Sequence, residues 1–105
     1  MGSKGERRGG FAPSHPGEYL REDILPALEM TITDLAKHLD VSRTALSELV
    51  NERRDVSLEM AQRLGQAFGN GARFWMALQM QFDLWNAERD NTLNIGRLRW
   101  RNEAA

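Results

Sequence analysis

At 105 residues and 12.0 kDa the chain can build one hydrophobic core, and its 41% hydrophobic and 28% charged residues exclude both a disordered chain and a membrane protein. No apolar run approaches the ~18 residues of a membrane span and no charged-then-apolar leader opens the sequence, so the chain is expected to stay in the cytoplasm. Zero cysteines exclude disulfides and thiolate metal sites, and a net charge of −1 excludes a uniformly basic nucleic-acid binder; any such site must be a local surface.

Residues 1–14, rich in glycine with Lys4, Arg7 and Arg8, are too polar to bury a core and read as a flexible basic arm. Order is expected from Pro16, which suits a first helical turn because it lacks the N–H that would go unpaired there. Tyr19, Leu20, Ile24 and Leu25 give a helical stripe, and Pro26 predicts that this helix stops near Leu25. Thr31 and Asp34 form a capping-box pattern opening a second helix with Leu35, Ala36 and Leu39 inside. The pattern breaks at Asp40-Val41 and resumes at Ser42, a capping hydroxyl, with Leu46, Leu49 and Val50 marking a third helix. Ser57 caps a fourth, with Leu58, Ala61, Leu64 and Phe68 inside. Gly69-Asn70-Gly71 is a turn, and the fifth and longest helix runs from about Ala72 to Arg89. Residues 15–90 thus read as one all-α, five-helix domain, and 91–105 as a C-terminal tail with a short extended segment.

Two short helices separated by about three residues have the geometry of a helix-turn-helix. The stretch from Ile32 to Asn51 places small Ala36 at the helix crossing, apolar residues at the locking positions, and Asp40 at a turn where glycine is usual. Asp tolerates the left-handed geometry needed there. The third helix keeps a polar outer face of Arg43, Thr44, Ser47 and Asn51, which a helix buried in a plain bundle has no need of. In the DNA major groove, Arg43 is suited to guanine, Thr44 to thymine and Ser47 to either partner type. Ser42, Asn51, Arg53 and Arg54 are placed for phosphate. Glu48 reads as a solvated helix charge. On the fifth helix Trp75, Met76, Met80 and Trp85 add apolar directions beyond the needs of one core, which predicts a homodimer interface.

His15-Pro16-Gly17-Glu18, Leu20-Arg21-Glu22, Val41-Ser42-Arg43, Asn51 to Arg54, Met60-Ala61, Phe74-Trp75 with Leu78-Gln79, and Asp83-Leu84-Trp85 resemble the HigA-type antitoxins over residues 15 to 86. That family belongs to the helix-turn-helix class with the fold of the lambda repressor's DNA-binding domain. The resemblance implies a homodimer that represses its own operon and neutralises a HigB-type toxin, an mRNA-cleaving ribonuclease. It implies base or phosphate contacts for Ser42, Arg43, Thr44 and Ser47, and backbone contacts for Asn51, Arg53 and Arg54. Glu52 stands where the family usually has glycine, and Gly71-Ala72 depart from its customary Ser-Pro. For toxin binding the outward side of the first helix is the candidate: Glu18, Arg21 and Glu22, with Asp23, a largely acidic set suited to a basic ribonuclease.

An enzyme is disfavoured. His15 and His38 are the only histidines, no phosphate loop is present, and no catalytic residues, metal or cofactor are implied. The alternatives are a free-standing repressor without a toxin, and an interaction module that keeps the fold but not DNA binding.

Overall fold

The computed structural model describes residues 12–101, so most of the N-terminal arm and residues 102–105 lie outside it. Within that range all regular structure is helical: five helices and no strand. The first helix, α1, covers residues 16–28 in three stretches, Pro16–Tyr19, a wide π-helical Leu20–Ile24, and Leu25–Leu28. It opens on Pro16, with the His15 Nδ1 accepting the Gly17 N–H at 2.9 Å. The end predicted near Leu25 is wrong by a turn. In the π stretch the Leu25 N–H reaches back five residues to the Leu20 carbonyl. That shift in register precedes Pro26, whose ring would otherwise strike a carbonyl one turn earlier, and the helix continues to Leu28. It closes on Glu29 in the left-handed region, φ 54°.

Helices α2 (Ile32–Leu39) and α3 (Arg43–Val50) form the helix-turn-helix. Thr31 and Asp34 make the predicted reciprocal cap, Thr31 Oγ1 accepting the Asp34 N–H at 3.0 Å. Asp40 takes the left-handed conformation, φ 60°, as expected of its position, and Ser42 Oγ accepts the Ala45 N–H at 3.0 Å to start α3. Helix α4 (Leu58–Phe68) is capped by Ser57, and α5 runs Gly71–Arg89. Leu58, predicted inside, is 63% exposed. It lies about a third of a turn from the inward face set by Met60, Ala61 and Leu64. Helices α4 and α5 turn back on each other closely, because Gly65 has no side chain where the backbone of Gly71 and Ala72 passes.

The core is built on Leu20, Leu35, Leu46, Leu49, Leu64 and Trp75. Trp75 corrects a third expectation: predicted at a dimer surface, it is 0% exposed. The rings of Tyr19, Phe68 and Phe74 surround it with centroids 5.5–6.0 Å away, and its indole N–H donates to Asn70 Oδ1 at 2.9 Å. A satisfied indole ringed by aromatics belongs to the centre of the fold. The tail over 91–101 has no helix or strand, and Leu93, Ile95, Leu98 and Trp100 on it are exposed.

Candidate nucleic-acid interface

Helix α3 buries Leu46, Leu49 and Val50 and turns Arg43, Thr44 and, in part, Ser47 to solvent. Asn51, Arg53 and Arg54 continue that exposed surface past its C-terminus, and Ser42 begins it. Several of these side chains are already held. Arg43 Nε donates to Thr33 Oγ1 on α2 at 3.0 Å. Asn51 Nδ2 donates to the Ser47 carbonyl at 2.9 Å and lies 3.4 Å from its hydroxyl. Arg54 donates through Nε and Nη2 to Glu48 Oε1, at 3.0 and 2.6 Å. Glu48 is therefore the partner of an exposed arginine, and its reading as a merely solvated charge is corrected. The Ser42 hydroxyl accepts the Ala45 N–H as the α3 cap, which leaves its own proton free to donate outward.

The two helices of the motif are each closed at the C-terminus by an arginine from outside it. Arg21, on α1, donates from Nη1 to the Val50 carbonyl at 2.7 Å, from Nη2 to Glu52 at 3.0 Å and from Nε to Glu22 at 3.1 Å. Arg63, on α4, donates to the carbonyls of Leu39 and Asp40 at 2.7 and 3.2 Å and to Glu59 at 2.7 Å. Such contacts satisfy carbonyls that have no partner within their own helix and place a cation at the negative end of its dipole. Burial lowers the Arg21 pKa, but the hydrogen bonds and charges of Glu52 and Glu22 outweigh it and raise the pKa above the ordinary arginine value. Hydrogen bonding to Glu59 does the same for Arg63.

This corrects the outward acidic face expected on α1. Glu18 is 1% exposed and Arg21 is committed to the end of α3, leaving Glu22 and Asp23 on the surface. Glu52 stands in the left-handed region, φ 63°, so the turn keeps the geometry of the customary glycine while its carboxylate holds Arg21. Sequence reasoning missed four residues that position the interface. Thr33 and Arg63 carry no local signal, since their partners are ten and more than twenty residues away. His15 caps α1 although histidine is not a preferred cap; the following Pro16 was the available signal. Gln79, 4% exposed, accepts the Val56 N–H at 2.8 Å and so ties the segment before α4 to α5.

A helix-turn-helix family profile matches residues 20–75, which takes in α2 to α4. The chain belongs to the helix-turn-helix family. HigA-type antitoxins are among its relatives, in keeping with the motifs of the sequence. It is 41% identical over 78 residues to an uncharacterised helix-turn-helix transcriptional regulator of Haemophilus influenzae, covering 74% of this chain and 73% of that one. It is 32% identical over 74 residues to the antitoxin HigA-1 of Vibrio cholerae, covering 70% of each. The structure of the Pseudomonas aeruginosa antitoxin HigA with the higBA promoter superposes with a TM-score of 0.72 at 40% identity, over 75% of this chain and 86% of that one. Like these relatives, this helix-turn-helix protein is a DNA-binding regulator or antitoxin.

The capping role of Arg21 is measurable. Arg21→Ala should lower stability to urea by about 1–2 kcal/mol, a modest value for charged hydrogen bonds that solvent partly screens. Arg21→Lys, which cannot serve both the Val50 carbonyl and Glu52 in one planar fork, should recover less than half of it.

Proposed function

We propose that the protein is the antitoxin of a type II toxin-antitoxin module, a homodimer that binds operator DNA to repress its own operon and that neutralises a HigB-type mRNA-cleaving toxin. One observation carries the DNA half of this reading: the exposed face of α3 and the turn after it present Arg43, Thr44, Ser47, Asn51, Arg53 and Arg54 together, several of them already oriented. In the groove the N-terminal residues Arg43, Thr44 and Ser47 face base edges, while Ser42, Asn51, Arg53 and Arg54 lie beside the phosphates. The P. aeruginosa antitoxin HigA, whose structure with the higBA promoter shares this fold, supports DNA binding here.

The homodimer rests on α5 and the tail. Met80 and Leu84 are 59% and 52% exposed, one turn apart, and with half-buried Met76 they form an apolar stripe that no helix among the described residues covers. Trp85, about 140° round the helix from Met80, is half-buried on another side of α5 under the guanidinium of Arg89, 5.4 Å from its ring centre. Past the end of α5, Leu93, Ile95 and Leu98 are exposed apolar residues as well. In this reading residues 15–90 are the DNA-binding and dimerisation unit, and the toxin meets the surface of α1 at Glu22 and Asp23, beside exposed Leu28.

Three outcomes follow. Arg43→Ala should weaken operator binding by about 1–3 kcal/mol and relax preference at one base pair, whereas Arg54→Ala should weaken binding to all sequences and flatten the salt dependence. Gel-shift titrations at two salt concentrations separate the two. Light scattering at micromolar concentration should give twice 12.0 kDa for the parent, and Met80→Asp with Leu84→Asp should shift it toward the monomer. In a strain where the adjacent gene alone arrests growth, co-expression of this protein should restore it. Glu22→Lys with Asp23→Lys should impair that rescue with operator binding near normal. No rescue by the parent protein would leave a free-standing repressor.

A further inference from the structure

Arg43 has five N–H donors, and their division in this structure is informative. The single Nε–H is engaged by Thr33 Oγ1 at 3.0 Å, across the turn from α2 to α3. The two Nη groups make the parallel pair of donors that fits guanine O6 and N7. An exposed arginine otherwise samples many rotamers, and fixing it on DNA costs conformational entropy. Thr33 is well suited to hold it. The residue sits on the exposed side of α2 just inside the Thr31 cap, and its β-branched side chain has few χ1 states in a helix. Its hydroxyl accepts from Arg43 and retains its own proton to give away.

We infer that Thr33 is the positioning residue for base reading by Arg43: it fixes the guanidinium through Nε so that the two Nη groups meet one guanine. The inference rests on Arg43 being the base reader, and it assigns base selectivity to a residue outside the recognition helix. Thr33 does not read the base itself. Its effect should therefore appear only where Arg43 meets its guanine, and should vanish when Arg43 is gone.

The test uses the full-length protein and a duplex of about 20 base pairs that the parent selects from a random library, long enough for two half-sites one helical turn apart. Anisotropy titrations at several salt concentrations compare Thr33→Val, Thr33→Ser and Arg43→Ala, singly and as the Thr33→Val/Arg43→Ala pair. Valine keeps the shape of threonine at an exposed position, and thermal melts check that the fold is intact. Thr33→Val should bind the selected duplex about three- to tenfold more weakly, the scale of one hydrogen bond to a charged group near solvent. It should also lose most of the preference for guanine at one position with the salt slope unchanged, and Thr33→Ser should restore both. In the Arg43→Ala background Thr33→Val should have no further effect. Parental affinity and preference for Thr33→Val would overturn the inference. A uniform loss on all sequences with a shallower salt slope would overturn it too, and would make Thr33 a phosphate contact. If Arg43→Ala itself kept the parental preference, the failure would lie in the reading of α3 and not in the tether.

Discussion

Helix α3 of the helix-turn-helix is eight residues long, and an isolated helix of that length does not hold its shape in water. Everything around α3 answers that constraint. Its first turn is capped by the Ser42 hydroxyl, its inward face is packed through Leu46, Leu49 and Val50, and its last carbonyls are met by α1. Gly17 lies so close to the Leu49 carbonyl that a methyl group there would overlap it, while Arg21 reaches the Val50 carbonyl from the following turn. The first helix is thus a brace for the end of α3. The His15 cap and the fully enclosed Pro16-Gly17-Glu18 stretch serve that contact.

The same constraint explains why α1 is irregular. Leu20 is enclosed in the core while Arg21 turns to α3, and beyond the wide turn Leu25 must face inward again although Pro26 follows it. One π-helical turn alters the helix phase between these demands and absorbs the missing donor of the proline. Buried residues on one side and a committed arginine on the other leave little of α1 for a partner. Its exposed surface is confined to the side bearing Glu22, Asp23 and the last turn up to Leu28.

The local chemistry was legible in the sequence. Thr31 with Asp34, Ser42 and Ser57 start helices where a capping oxygen precedes apolar periodicity, and Asp40 takes the turn its side chain tolerates. Those features depend on residues three or four apart. What could not be read depended on helix phase and on partners far along the chain. Tryptophan 75 and the Met80–Leu84 stripe look equally apolar in the sequence, and only the seating of α5 against α1 and α4 decides which is core. The role of Glu18 was misread for the same reason: an acidic residue in a first turn suggests solvent, yet tertiary packing encloses it. The candidate reading face was legible as residue types, but its cross-links, Arg43 to Thr33 and Arg54 to Glu48, were not.

Those cross-links bear on the puzzle of charge. A protein with a net charge of −1 has little attraction for DNA at a distance, since non-specific affinity comes from the number of cations it brings to the phosphates. Here two of the arginines near α3 are matched with acids, Arg54 with Glu48 and Arg21 with Glu52. To meet a phosphate, Arg54 must exchange or share a carboxylate partner, so the gain from a phosphate contact is smaller than for a free cation. Arg43 differs, because its tether is a neutral hydroxyl that leaves its charge and its two Nη groups uncompensated. Pairing of this kind weakens binding to arbitrary DNA more than binding at a site where base contacts add to the phosphate contacts. For a small regulator facing a large excess of non-specific sequence, that difference sets selectivity more than total affinity does.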